Sequence, residues 1–180
     1  MELDPDPDAS APPVLRLAPR DASSFDDFYR REYPSLLRLA WTLTGRRDLG
    51  EELVQDTMLR VHGKWAAVGG YDAPAGFARR VLLNGATSAA RRRTSERAAL
   101  SRVAATVVAR PDELPPDDEL WAALRALPAR QAQAVALHYL EDRAVADISA
   151  VLGIAESTVK VHLYRGRLAL ARSLRPEDGA

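Results

Sequence analysis

Asp147-Ile148-Ser149-Ala150-Val151-Leu152-Gly153, followed three residues later by Ser157-Thr158-Val159-Lys160-Val161-His162-Leu163-Tyr164-Arg165-Gly166-Arg167, reads as two helices broken at a glycine. Ile148, Leu152, Ile154, Val159 and Leu163 alternate inward around that turn, the pattern of a helix-turn-helix. The spacing predicts helices over 144–152 and from Glu156 to about Leu174. The second helix then exposes Ser157, Lys160, Val161, Tyr164 and Arg165. Such a face suits a major groove, where lysine and arginine read base edges or phosphates and a ring or methyl packs on thymine. Two more helices precede the motif, about Asp118 to Leu127, closed by Pro128, and Arg130 to Leu140.

Outward from this block, the 180 residues are 47% hydrophobic and 28% charged, which fits one medium domain or two small ones. The apolar residues are mostly Ala, Leu and Val, so an all-α protein is expected. Without cysteine there is no disulfide framework and no thiolate for zinc or nucleophilic chemistry. No HExxH, P-loop, GxGxxG or GxSxG pattern occurs, and His62, His138 and His162 lack ligand spacing; no metal, cofactor or catalytic residue is expected. Tyr139 and Trp121 are expected in the core. No run approaches eighteen apolar residues, and the first thirteen carry four acids and four prolines, so a cytoplasmic protein without membrane insertion is expected.

The formal net charge of zero is unevenly spread: −3 over 1–24, +4 over 25–93, −2 over 94–118 and +1 over 119–180. Residues 1–24 read as a disordered acidic, Pro-rich tail and 94–118 as a linker, so the two domains are expected at 25–93 and 119–175. Arg79, Arg80, Arg91, Arg92 and Arg93 follow one another without an intervening acid, and Ser157 to Arg175 repeats that pattern with Lys160, Arg165, Arg167, Arg172 and Arg175. Each run is either a solvated helix face or a surface for an anionic partner.

In the first block, apolar residues at helical spacing run from Phe25 to Leu43 and stop at Thr44-Gly45. From Glu51 to Trp65, Val54, Met58, Val61 and Trp65 form one inward stripe. The opposite face holds Glu52, Gln55, Asp56 and Leu59. Leu59 among acids and an amide is either a lone exposed leucine or the apolar anchor of a partner surface. A third helix begins near Pro74, a favourable first-turn residue, and runs to about Arg93. Phe77, Val81 and Leu82 point inward, while Arg80, Asn84, Thr87 and Arg91 share a face that carries no carboxylate.

The stretch Leu53-Val54-Gln55-Asp56-Thr57-Met58-Leu59-Arg60-Val61, then Pro74 to Arg93, then the helix-turn-helix, resembles the extracytoplasmic-function (ECF) sigma factors, the bacterial initiation factors that keep only sigma regions 2 and 4. The resemblance implies core RNA polymerase, through its β′ clamp and β flap, and promoter DNA as partners, and it admits an anti-sigma factor. It would put Glu52, Gln55, Asp56 and Leu59 on the β′ coiled-coil clamp. Arg79, Arg80, Asn84, Thr87 and Arg91 would melt and hold the −10 element, with Asn84 at the family's characteristic asparagine. A carboxylate-free face suits single strands, where cations follow the backbone and an amide reads a flipped base. Ser157, Lys160, Val161, Tyr164 and Arg165 would bind the −35 duplex, and the acidic linker would cross the polymerase interior.

Three positions depart from the family pattern. Ser149 replaces a small alanine, Ala155 stands where a hydroxyl N-cap is common, which moves the expected helix start to Ser157, and Gly166 replaces an alanine at a helix cost of about 1 kcal/mol. A free-standing helix-turn-helix regulator is the competing reading. It would bind a palindrome as a dimer and would leave Gln55, Asn84 and the basic Pro74 to Arg93 helix without a role.

Overall fold

The computed structural model describes residues 24–70, 74–100 and 119–174, with the backbone alone over 94–100. The described residues form helices only: α1 (Phe25–Thr44), α2 (Arg47–Gly63), α3 (Trp65–Val68), α4 (Pro74–Leu100), α5 (Glu119–Ala126), α6 (Ala129–Tyr139), α7 (Val145–Leu152) and α8 (Glu156–Ser173). The expected tail, apart from Ser24, and the linker beyond residue 100 lie outside the described residues.

Local chemistry sets the ends of α1. The Ser24 hydroxyl accepts the Asp27 amide at 3.2 Å, and Asp26 and Asp27 place negative charge in the first turn, where the helix dipole favours it. Gly45 ends the helix in the left-handed region at φ 68°, its amide donating to the Trp41 carbonyl. The helical periodicity then builds the core: Phe28, Leu36, Leu39 and Ala40 of α1, Val54, Met58 and Val61 of α2, and Ala78, Leu82 and Leu83 of α4 are all buried.

Two boundaries differ from the sequence expectation. Trp65 does not extend α2, because the chain turns at Lys64 and Trp65 opens α3, where its ring packs edge-on against Phe25 with centroids 5.4 Å apart. Residues 94–100, expected in the linker, continue α4. This stretch, Thr-Ser-Glu-Arg-Ala-Ala-Leu, contains neither glycine nor proline to stop a helix.

The second half packs α6 against α8 and closes the motif with α7 across α8. Gly153, at φ 66°, makes the tight turn that a side chain would strain. The unusual Ser149 has a use here: its hydroxyl donates to the Ile154 carbonyl at 2.6 Å and ties the two sides of the turn together. The two halves also meet. One hydrophobic cluster includes Leu36 and Leu82 together with Leu137, Ile148 and Leu163, and α1 touches α5 and α6 while α4 lies against α7.

Gly166 is a packing requirement rather than a defect of α8. A Cβ there would stand 2.7 Å from Val135 Cγ2 of α6. Helix propensity favours Gly166→Ala by about 1 kcal/mol, but forcing a methyl against a core valine costs typically 1–3 kcal/mol. The expected result is a net loss of about 1 kcal/mol in urea denaturation; a gain in stability would contradict this packing.

Candidate nucleic-acid interface

The helix-turn-helix delivers its outer face as expected. Val159, Leu163 and Gly166 of α8 are buried, and Ser157, Lys160, Val161, Tyr164 and Arg165 are exposed on the other side, with Tyr164 at 62%. The helix starts at Glu156 with Ala155 as an N-cap that makes no side-chain hydrogen bond, so the later start at Ser157 is not observed. The exposed face of α8 therefore includes the full first turn. Sequence reasoning missed an extension of this face. Tyr139, expected in the core, is 57% exposed at the end of α6, and its hydroxyl accepts from Arg167 Nη1 of α8 at 3.5 Å; Leu168 is exposed one turn further on. Tyr139 sits in the last turn of α6, where a helix stripe leaves the core. Trp121 is half-buried against the core.

On α2, Glu52, Gln55, Asp56 and Leu59 are all exposed, and Leu59 at 70% is the most exposed large apolar side chain among the described residues. Val54, Thr57, Met58 and Val61 occupy the buried side. Beside this face, α2 and α4 flank a groove of about 500 Å³ with Glu52, Asp56 and Arg60 on one wall and Asn84, Ser88 and Arg92 on the other. Asn84 thus lies within reach of solvent and next to the α2 face, and Arg91 is exposed as well.

The remaining three members of the expected −10 set are engaged. Arg79 is a correction: it is 3% exposed and all five guanidinium N–H groups are used. Nε and Nη2 donate to the two oxygens of Glu141 at 2.5 and 3.0 Å, Nη1 to Glu32 at 2.9 Å and to the Ala75 carbonyl at 3.1 Å, and Nη2 also to Ser35 Oγ at 3.0 Å. No donor is left for a phosphate. Burial alone would push the Glu32 carboxyl up, yet the hydrogen bonds from Arg79 and Arg31 and their charges hold it below the usual value. Burial opposes the charge on Arg79, and the hydrogen bond and charge of Glu141, then those of Glu32, outweigh it and raise its pKa further.

Arg80 is half-buried and turned to the C-terminus of α7, where Nε donates to the Val151 carbonyl at 3.2 Å and Nη2 to that of Ala150. A cation there complements the negative helix end. Thr87 Oγ1 donates to the Leu83 carbonyl and accepts from Gln133 Nε2 of α6 at 2.9 Å; the same amide donates to the Leu83 carbonyl at 3.2 Å.

Among the described residues the fold is helical, with an exposed cationic face on a helix-turn-helix and a second basic helix, the architecture of the helical helix-turn-helix class. Family matches carry it further: Sigma-70 region 2 matches residues 28–96, and Sigma-70 region 4 matches residues 117–170. The ECF RNA polymerase sigma factor SigM of Mycobacterium tuberculosis is 30% identical over 155 residues, which are 86% of this chain and 79% of SigM. The RNA polymerase sigma-E factor of Streptomyces avermitilis is 26% identical over 163 residues, 90% of this chain and 91% of that one. The solved sigma factor RpoE of Bartonella quintana, in complex with the anti-sigma factor NepR, superposes with a TM-score of 0.68 at 26% identity, covering 85% of this chain and 98% of RpoE. CnrH, solved with the cytosolic domain of CnrY, shares the fold at a TM-score of 0.60 and 21% identity, over 83% of this chain and 86% of CnrH. The chain belongs to the ECF sigma factor family. Among the described residues no helix is long and apolar enough to cross a membrane.

Proposed function

We propose that the chain binds core RNA polymerase through α2 and directs promoter-specific initiation, with α4 opening and holding the −10 element and α8 binding the −35 element as duplex. The observation that carries the reading is the pairing, in one chain of this family, of the Leu59-centred polar face of α2 with the exposed cationic face of α8. A free-standing regulator needs the second but not the first. Glu52, Gln55 and Asp56 would rim the apolar anchor on the β′ clamp, and the end of the second domain would meet the β flap. Asn84 and Arg91 supply the amide and cation for a melted strand from solvent-facing positions, while Arg80 and Thr87 join them only after leaving their present partners. The work takes place where the polymerase is, in the cytoplasm. An anti-sigma factor is the further partner class that the likeness to the NepR-bound RpoE supports. No catalytic step belongs to the chain itself.

The test separates the two DNA contacts on one promoter with core polymerase. Lys160→Ala is expected to weaken −35 duplex binding by about tenfold, as one lost base or phosphate contact does, while Asn84→Ala keeps duplex binding and loses permanganate-reactive thymines near the start site. Equal output from both variants and the parent would remove these residues from promoter readout.

A further inference from the structure

Most of the exposed large apolar side chains of the second half share one surface: Val161, Tyr164 and Leu168 along a single stripe of α8, and Tyr139 beside that helix at the end of α6. Tyr139 stands apart from the other three, because it reaches this surface from outside the helix-turn-helix. Its ring lies edge-on to His138 with centroids 4.7 Å apart, and its hydroxyl stands 3.5 Å from Arg167 Nη1. His138 is itself tied down. A carbonyl only accepts, so His138 Nδ1 carries the proton and donates to the Arg143 carbonyl at 2.9 Å. A ring held in this way at the surface serves no core, and a phenol that accepts from a guanidinium still has its own O–H to give.

We propose that Tyr139 and Arg167 form a clamp for one DNA phosphate at the rim of the α8 face, in which Tyr139 positions the guanidinium and adds its own O–H to the same phosphate. The inference rests on the proposed role of α8 in binding duplex. Arg167 follows Lys160 by about two helical turns, so both cations stand on the edge of α8 towards Tyr139, while Val161, Tyr164 and Leu168 hold the middle of the face. The hydrogen bond to Tyr139 leaves the other N–H groups of Arg167 for an anion, and among the described residues no carboxylate pairs with it. Glu141, the acid closest to Tyr139 in the sequence, is buried and bonded to Arg79, so its charge is spent in the interior. A guanidinium fork and a hydroxyl match the oxygens of one phosphate. Such a contact adds affinity and leaves the choice of bases to Lys160, Tyr164 and Arg165.

Arg167→Ala, Tyr139→Phe and the double variant test the clamp in the full chain, once circular dichroism has established that each keeps the parent's helix content. The probes are two fluorescein-labelled duplexes of about 30 base pairs, one carrying the upstream element of a promoter that the parent transcribes with core polymerase, the other with the same bases scrambled. Arg167→Ala is expected to weaken both about tenfold and to make the slope of log affinity against log salt shallower by about 0.9, the share of one phosphate. Tyr139→Phe keeps the ring and loses the hydroxyl, so both duplexes are expected to bind about threefold more weakly at an unchanged slope. In the double variant the tyrosine change adds less than it does alone, because without Arg167 no phosphate is drawn to the hydroxyl. A parent-like affinity and slope in Arg167→Ala, or a loss confined to the promoter duplex, overturns the clamp. So does parent-like binding by Tyr139→Phe, which is what a ring that only packs would give. If Lys160→Ala weakens the promoter duplex and the clamp variants do not, the clamp alone falls; if the parent binds neither duplex, the duplex role of α8 falls with it.

Discussion

Arg79→Ala is expected to cost the folded chain about 3–5 kcal/mol, which for a protein of this size lowers the melting temperature by roughly 10 °C. The reason is not the loss of a favourable pair as such. Removing the guanidinium leaves the carboxylates of Glu32 and Glu141 in a place built for a cation, with side chains 11% and 6% exposed, and it removes all five hydrogen bonds at once. A surface arginine that met only phosphates would show the opposite pattern: unchanged stability and a smaller salt slope for DNA binding.

The pH dependence follows from Glu32. Its folded pKa is lowered from 4.5, so the stability it contributes is complete above that value and lost as pH falls through the lower folded value. In Arg79→Ala burial acts on Glu32 with only the Arg31 hydrogen bond and charge left to oppose it, and protonation then relieves part of the variant's loss. The stability gap between parent and variant is therefore expected to narrow as pH drops from 7 towards 4. Denaturant titrations at several pH values would measure it, and a gap that widens in acid would contradict the charge assignment.

Leu59→Asp carries the second large effect, on binding rather than folding. At 70% exposure Leu59 contributes little to the core, so stability should change by less than about 0.5 kcal/mol. Its surroundings make it a poor site for a further acid when a partner docks: Glu52 and Asp56 stand on the same exposed face. Central apolar anchors of interfaces contribute 2 kcal/mol or more, and a buried unpaired carboxylate adds to the loss, so affinity for core polymerase is expected to fall by about 100-fold. Fluorescence anisotropy of the labelled chain titrated with core polymerase would read this directly. Unchanged affinity with retained folding would move the docking face away from α2.

What the sequence made legible is what repeats. Val54, Met58 and Val61, and again Val159 and Leu163, recur at helical spacing, and each is buried. The outer faces of α2 and α8 followed by subtraction. What stayed hidden depends on partners remote in the chain. Arg79 and Arg80 are adjacent arginines in a basic run, and nothing local distinguishes them from Arg91 or Arg92. The difference is made by Glu141, 62 residues away from Arg79, and by the carbonyls of α7, about 70 residues from Arg80. Gly166 was misread for the same reason: propensity is local, whereas the 2.7 Å approach to Val135 belongs to the packing of α6 on α8. Ser149 and Tyr139 complete the pattern, since a hydroxyl that ties a turn and a ring that leaves the core at a helix end are both set by geometry beyond the helix period.

In vitro transcription with purified core RNA polymerase on a random-promoter library, with and without this protein, tests the central claim most directly. The account predicts protein-dependent starts whose upstream sequences share two elements at fixed spacing. Transcripts that do not depend on the protein, together with duplex binding by the protein alone, would contradict it and leave a free-standing regulator in its place.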